Sequence, residues 1–288
     1  MAATPSPRKR GSSAVRSKTL DFRVGGNDAR HVPRKRFGQH FLVDQHYIER
    51  IVGALGAQPG DRLVEIGPGL GALTRPLLDR VTHADVVEID RDLARKLASE
   101  FTADHLSVHV ADALTFDFRS LGSDLRIVGN LPYYISSPLL FHLAQFEANL
   151  RDVTVMLQKE VVDRIIAPPA TPEYGRLSVM LQVLFRIERL FNVPPGAFRP
   201  APKVGSAVAR LTPLREERPH LADERLFAQI VAAAFGQRRK TLRNALKTLA
   251  TEVQLESVGI ESGARGETLA VDDFVRLANS LAVGSNAE

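Results

Sequence analysis

Residues 62–71 read Arg-Leu-Val-Glu-Ile-Gly-Pro-Gly-Leu-Gly. The apolar run Arg62–Ile66 has the length and composition of a buried strand. It ends on Gly67, Gly69 and Gly71, after which Ala72–Arg80 reads as a helix. Glycines at this place let the backbone turn sharply and approach a ligand at the strand's carboxyl end, where the helix N-terminus offers N–H donors. A purely structural tight turn would look the same, so the context decides. Pro68 breaks the Gly-x-Gly-x-x-Gly fingerprint of dinucleotide sites, and no Lys-Ser/Thr pair follows as in a P-loop. Neither NAD nor a nucleoside triphosphate is favoured.

The pattern continues outward in both directions. Upstream, Gln45–Leu55 places Ile48, Ile51, Val52 and Leu55 on one helical face. Downstream, strands at Ala84–Ile89, Leu106–Val110, Leu125–Val128 and Val153–Leu157 alternate with helices at Asp92–Phe101, Ser137–Ala148 and Val161–Ile166. Such βα alternation implies an α/β fold, a mostly parallel sheet with helices on both faces. Pro168–Pro172 is a break. Leu177–Phe185 reads as a helix, Phe185–Phe191 as a strand, Val193–Lys203 as a Pro-rich loop and Val204–Leu211 as a strand. Beyond Pro213 the strands stop, and Arg225–Phe235, Arg239–Leu249, Glu252–Val258 and Val271–Ala282 read as helices. The expected organisation is a disordered basic tail over 1–33, an α/β domain over 34–213 and a small all-α domain over 214–288.

Composition limits the chemistry. The 288 residues include no Cys, which excludes a disulfide scaffold, a thiolate metal site and a cysteine nucleophile. No metal is expected. There is no apolar run of membrane-spanning length and no signal-like apolar core near the start, so a cytoplasmic protein with no membrane partner is expected. The formal charge of +5 is unevenly placed. Residues 1–36 hold ten Lys/Arg against two Asp, net +8, and the remaining 252 residues hold 28 bases against 31 acids, net −3. A basic arm of this kind gains counterion-release energy on nucleic acid.

Three acids and one tetrapeptide sit at expected strand ends. Glu88, 21 residues after Gly67, is placed to accept hydrogen bonds from ribose hydroxyls. Asp90, two positions on, is better placed to cap the next helix. Asp112 follows the third strand and offers an acceptor for an exocyclic amine, although an Asp there also suits a simple turn. Asn130-Leu131-Pro132-Tyr133 ends the fourth strand. The Asn130 side-chain oxygen and a backbone carbonyl near Pro132 would supply two acceptors for the N–H groups of an amine whose lone pair is delocalised into a ring, drawing that nitrogen toward tetrahedral geometry. Tyr133 offers a ring on which an extruded base stacks.

These features resemble a family. The acid-Ile-Gly-x-Gly strand end is similar to motif I of S-adenosylmethionine (SAM) methyltransferases, and polar-x-Pro-aromatic is the pattern of amino methyltransferases. The chain resembles the small-subunit ribosomal RNA adenine N6,N6-dimethyltransferases (the KsgA/RsmA-like family), related to the macrolide-resistance ribosomal RNA methyltransferases. Eight segments over about 34–250 carry the likeness: Arg36–Leu42, Glu65–Gly71, Glu88–Asp90, Asn130–Tyr133, Met156–Val161, Tyr174–Val179, Phe198–Val204 and Gln237–Asn244. The resemblance implies a Rossmann-like SAM methyltransferase fold with a seven-stranded sheet and a helical C-terminal domain that binds RNA. It implies SAM contacts at His40, Leu42, Gly67, Glu88, Asp112 and Asn130, and a catalytic segment Asn130, Leu131, Pro132 and Tyr133. It also implies Phe198 as a second aromatic closing a sandwich with Tyr133. Two positions depart from the family: His40 stands where Asn is common, and Tyr134 likewise.

Arg238, Arg239, Lys240, Arg243 and Lys247 place five bases and no acid within ten residues. Read as one basic helix packed through Leu242, Leu246 and Leu249, they form a phosphate-tracking surface for structured RNA. The function implied is SAM-dependent dimethylation of two adjacent adenosines in the 3′-terminal hairpin of 16S rRNA, within an immature 30S subunit. A monomer is expected. Methylation of 23S rRNA and a mainly non-catalytic role in checking subunit assembly stay open as alternatives.

Overall fold

The computed structural model describes residues 40–237 and 239–284. The expected tail over 1–33, the segment Arg36–Gln39 and Arg238 lie outside them. In chain order the elements are β1 (Phe41–Leu42), α1 (Gln45–Leu55), β2 (Arg62–Ile66), α2 (Thr74–Leu78), β3 (Ala84–Glu88), α3 (Arg91–Glu100), β4 (Leu106–Val110), β5 (Leu125–Asn130), α4 (Ser136–Ala144), β6 (Leu150–Gln158), α5 (Lys159–Ile165), α6 (Arg176–Gln182), β7 (Phe185–Val193), β8 (Phe198–Arg199), β9 (Ser206–Pro213), α7 (Glu224–Gly236), α8 (Leu242–Ala245), α9 (Glu252–Ser257) and α10 (Val271–Gly284).

Seven strands form one sheet in the order β4-β3-β2-β5-β6-β9-β7. The pairs from β4 through β6 are parallel, and β9 runs antiparallel between β6 and β7. Strand periodicity sends alternate side chains to opposite faces. Leu63, Val86, Val128 and Met156 join Ile48, Ile51, Leu55, Leu77 and Leu97 of α1–α3 on one side. Val64, Val87, Ile127 and Val155 join Leu139, Leu143, Val162 and Ile165 of α4 and α5 on the other. The mostly parallel α/β sheet with helices on both faces is therefore present. Among the described residues, no helix is long and apolar enough to cross a membrane.

The chain runs outward from β2 through β3 to β4, then returns to β5 on the other side of β2. Strand order reverses between β2 and β5, and ligands of open α/β sheets bind in the crevice outside the strand carboxyl ends at such a reversal. After β9 the chain is helical, but its core extends back across residue 213. Phe227, Ile230, Leu242, Leu246 and Phe274 pack with Tyr174, Val179 and Val183 of the α6 region. The Tyr174 hydroxyl also donates to the Leu269 carbonyl at 2.9 Å.

Two expected elements differ. Strand β8, paired with β1, forms inside the expected Pro-rich loop Val193–Lys203. Arg239–Leu249 does not form a continuous helix; only Leu242–Ala245 is α-helical. The amides of Leu242 and Arg243 donate to the carbonyls of Ala264 and Ser262 at 2.8 and 3.0 Å. Those donors are therefore not available to a helix starting further upstream. Leu242 and Leu246 are fully buried, as their spacing implies.

Candidate active site

The first wall of the site is the turn after β2. The Gly67 amide donates to the Val87 carbonyl at 2.9 Å, which ties the turn to β3. Gly69 has φ +57°, and a Cβ there would lie 3.1 Å from the Phe41 ring. A side chain there would be strained by the backbone and crowded by the ring. The Gly69 amide donates to Glu88 Oε2 at 3.2 Å, while Glu88 Oε1 accepts from the Asp90 amide at 2.8 Å. Glu88 is 5% exposed, and burial raises its pKa. Asp90 does cap α3, accepting from the Asp92 amide at 3.0 Å. Asp112 is partly buried after β4 and closes a local turn by accepting from the Leu114 amide at 2.9 Å.

Glu65, which the sequence showed only as part of the Gly-rich motif, lies under this wall. It is 2% exposed and accepts from the Thr74 hydroxyl at 2.6 Å. Burial pushes its carboxyl up to about 7, and the neighbouring Glu88 adds to the rise. Tyr134 is 57% exposed, and burial and then the carboxylates of Asp112 and Glu88 raise its hydroxyl's pKa. The carboxyl ends of β2, β3 and β4 therefore present clustered carboxyl oxygen beside a glycine turn.

The second wall is Asn130–Tyr133. Asn130 Nδ2 donates to the His40 carbonyl at 3.0 Å. A carbonyl can only accept, so this bond fixes the amide and leaves Asn130 Oδ1 as an acceptor for other donors. Leu131 is buried, with its amide bonded to the Met156 carbonyl at 3.1 Å. The Pro132 carbonyl is engaged by the Ile135 amide and the Ser136 hydroxyl, each at 3.2 Å. Tyr133 is half-buried, its hydroxyl 2.7 Å from Ser206 Oγ at the start of β9. Ser206 is a partner that sequence spacing gives no means to find, since it is 73 positions away.

Two residues expected at the site lie in the core. Phe198 has no exposed surface. The β1–β8 pairing sets it opposite Leu42 and packs it with Val193, Ala197 and Val208 in the core. Leu42 is likewise buried in that core. The ring that lies against Tyr133 is His40, with centroids 5.7 Å apart and planes 26° from parallel. At the helical end of the chain, Arg239, Lys240, Arg243 and Lys247 are all exposed, and Arg243 approaches Glu252 at 3.7 Å.

Comparison with known proteins adds the following. A family model described as ribosomal RNA adenine dimethylase matches residues 30–283. The ribosomal RNA small subunit methyltransferase A of Aromatoleum aromaticum is 56% identical over 255 residues, 88% of this chain and 96% of that protein. The protein of the same name from Nitrosospira multiformis is 55% identical over 249 residues, 86% of this chain and 96% of that one. Among solved structures, a dimethyladenosine transferase from Plasmodium falciparum matches with TM-score 0.69 at 24% identity, covering 83% of this chain and 96% of that chain. A 23S rRNA methyltransferase, ErmE, matches with TM-score 0.65 at 29% identity, covering 84% of this chain and 99% of that chain.

Proposed function

The chain belongs to the ribosomal RNA adenine dimethylase family, and from that premise we propose that it places two methyl groups, taken from SAM, on the N6 amine of adenosines in small-subunit ribosomal RNA. The observation that carries the reading is Asn130, whose amide nitrogen is engaged by the His40 carbonyl, which leaves its oxygen as an acceptor for other donors.

The residues present fit the cofactor. SAM is cationic at sulfur and at its amino group, and the Glu65–Glu88 cluster is buried carboxylate without an ion-pair partner among the described residues. Glu88 suits ribose hydroxyls, Asp112 suits an adenine amine, and the Gly69 turn lets backbone approach closely. When bound, SAM supplies an electrophilic methyl group. The chain's own residues then hold the target. Asn130 Oδ1 accepts one N6–H, and the Leu131 carbonyl, next to the engaged Pro132 carbonyl, is the backbone acceptor for the other. Tyr133 stacks on the extruded base, and fixed orientation supplies much of the rate. After one transfer a single N–H remains, and one acceptor suffices for it.

The exposed bases around Lys240 and Lys247, in the 214–288 segment, suit the phosphates of structured RNA. The fold alone does not separate small-subunit from large-subunit substrates. The proposal takes the two adjacent adenosines of the 3′-terminal 16S hairpin, in an incompletely assembled 30S subunit, because the relatives at 55–56% identity are named for the small subunit. The test is labelled SAM with purified, unmethylated subunits of each kind, followed by nucleoside mass spectrometry. Dimethyladenosine is expected in small subunits alone. Asn130→Ala is expected to lose it while keeping cofactor affinity, and full methylation by that variant overturns the mechanism.

A further inference from the structure

Resting on that functional reading, we infer that Ser206 is a positioning residue for the reaction: its hydroxyl holds the Tyr133 ring at the angle against which the target base stacks. Ser206 Oγ lies 2.7 Å from the Tyr133 hydroxyl. Ser206 is 1% exposed and opens β9, in the buried run Ser206-Ala207-Val208-Ala209. A strand at that depth is held by its backbone bonds and its apolar side chains, and a hydroxyl there costs free energy unless it is bonded. Among the described residues, Tyr133 is the one hydrogen-bond partner of the Ser206 side chain. The sheet has no use for the serine hydroxyl, whereas Tyr133 does.

Tyr133 needs such a hold because it begins a single 3₁₀ turn, Tyr133–Ile135, which has no side-chain cap. The start of the same segment is tied to β6: Asn130 stands opposite Met156, and the Leu131 amide donates to the Met156 carbonyl. Strand β9 pairs with β6 in turn, setting Ser206 opposite Gln158 on one side and Val193 of β7 on the other. The Lys159 amide donates to the Gly205 carbonyl at 2.9 Å and closes that corner. The acceptor at Asn130 is thus referred to β6 and the ring at Tyr133 to β9, two strands locked in one register. The sheet, and not the turn, then fixes the angle between the amine's acceptor and the plane of the base. The bond is made at the hydroxyl edge of the ring, so it orients the ring without covering a stacking face.

Turnover of the full-length enzyme on unmethylated small subunits reads the assignment. Ser206→Ala is expected to lower kcat about fivefold, the effect of one neutral hydrogen bond on the fraction of rings held in place. The KM for subunits is expected to stay within about twofold of wild type, since the grip on phosphates lies elsewhere. SAM affinity, by calorimetry, is expected to stay within about twofold as well, because no contact to the cofactor is lost. Tyr133→Phe removes the other half of the bond, keeps the ring, and is expected to match the loss in kcat. Two halves of one interaction lose no more together than singly, so the double variant is expected to stay about fivefold down, against about 25-fold for independent sites. A role of Ser206 confined to packing β9 would lower the melting temperature without depending on the Tyr133 hydroxyl. Undiminished kcat in either single variant overturns the proposal, as do losses that multiply in the double. Tyr133→Phe leaves β9 untouched, so it carries the test even where Ser206→Ala does not fold. A wild-type enzyme that leaves adenosine unmodified brings down the functional reading instead, a result distinct from any of these.

Discussion

At the amino ends of β2, β5 and β6, Arg126 stands opposite Asp152 and donates to Asp152 and Asp61, each at 2.8 Å. It also reaches the carbonyls of Leu55 and Gly56 at the end of α1. Burial pushes Asp61 up, but its bonds to Arg126 and to the Gln58 amide outweigh that and hold it below the usual carboxylate range. At the carboxyl ends of β2 and β3, Glu65 and Glu88 are as deeply buried, yet neither forms an ion pair among the described residues, and burial raises both. One end of the sheet neutralises its charges internally and uses them to pin a helix. The other end leaves its carboxyl groups without ion-pair partners among the described residues and bears their desolvation cost, and on the proposed function a cationic cofactor meets them there.

The largest expected effect breaks the paired end. Arg126→Met leaves Asp61 and Asp152 buried without their shared cation, which costs about 3–5 kcal/mol in denaturant unfolding. Cofactor affinity of the molecules that stay folded is expected to be unchanged. A loss below about 1 kcal/mol, the worth of an ordinary exposed pair, would erase the distinction between the two ends.

Glu65→Gln tests the unpaired end and moves stability the other way. Glutamine keeps an acceptor for Thr74 and cannot ionise. Wild-type Glu65 has a folded pKa of about 7 against 4.5 for the free side chain, so the unfolded chain ionises first as pH rises. Stability is therefore full below about pH 4.5 and declines as pH rises to about 7, beyond which the penalty is constant. The variant is expected to be more stable than wild type at pH 8 by about 3 kcal/mol, with the gain vanishing near pH 4. Asp61 has the opposite sign: its contribution is present above its unfolded value near 3.8 and is lost as pH falls through the lowered folded value. Equal stabilisation by Glu65→Gln at pH 4 and pH 8 would show that ionisation is not the cause.

How much of this was legible in the sequence follows from the range of each interaction. Strand β2, helix α1 and the cap at Asp90 are set by neighbours a few residues apart, and the residues chosen for them fall in place. Phe198 is different. Its burial depends on β1, 156 positions away, through the pairing of Leu42 with Phe198. The motif marks Phe198 as aromatic but carries no sign of which way it faces. The contact of His40 with Tyr133 is similarly non-local. Leu242, Leu246 and Leu249 have helical spacing, yet the turn at 262–264 takes the amide donors, so the three leucines give the burial correctly and the helix length wrongly. Glu65 was visible as a letter in the Gly-rich motif, but its raised pKa comes from burial, against the pull of the Thr74 bond.

The basic segment contrasts with both ends of the sheet, because its charges are exposed. Lys240 and Lys247 are exposed and form no ion pair among the described residues, whereas Arg243 is near Glu252. Residues 37–288 carry 28 bases and 31 acids, so on the proposed function this part holds RNA by a local patch and not by overall charge. Each exposed Lys that neutralises a phosphate releases close to one counterion. Lys240→Ala with Lys247→Ala is therefore expected to lower the slope of log affinity against log salt by about 2, uniformly across RNA sequences. Arg243→Ala is expected to change it less, since Glu252 already offsets that charge. Stability is expected to move by no more than about 0.5 kcal/mol in either variant. An unchanged slope in the double variant would transfer the electrostatic grip to the basic residues of 1–36, and deleting residues 1–33 would then remove most of the salt dependence while turnover at saturating subunits persists.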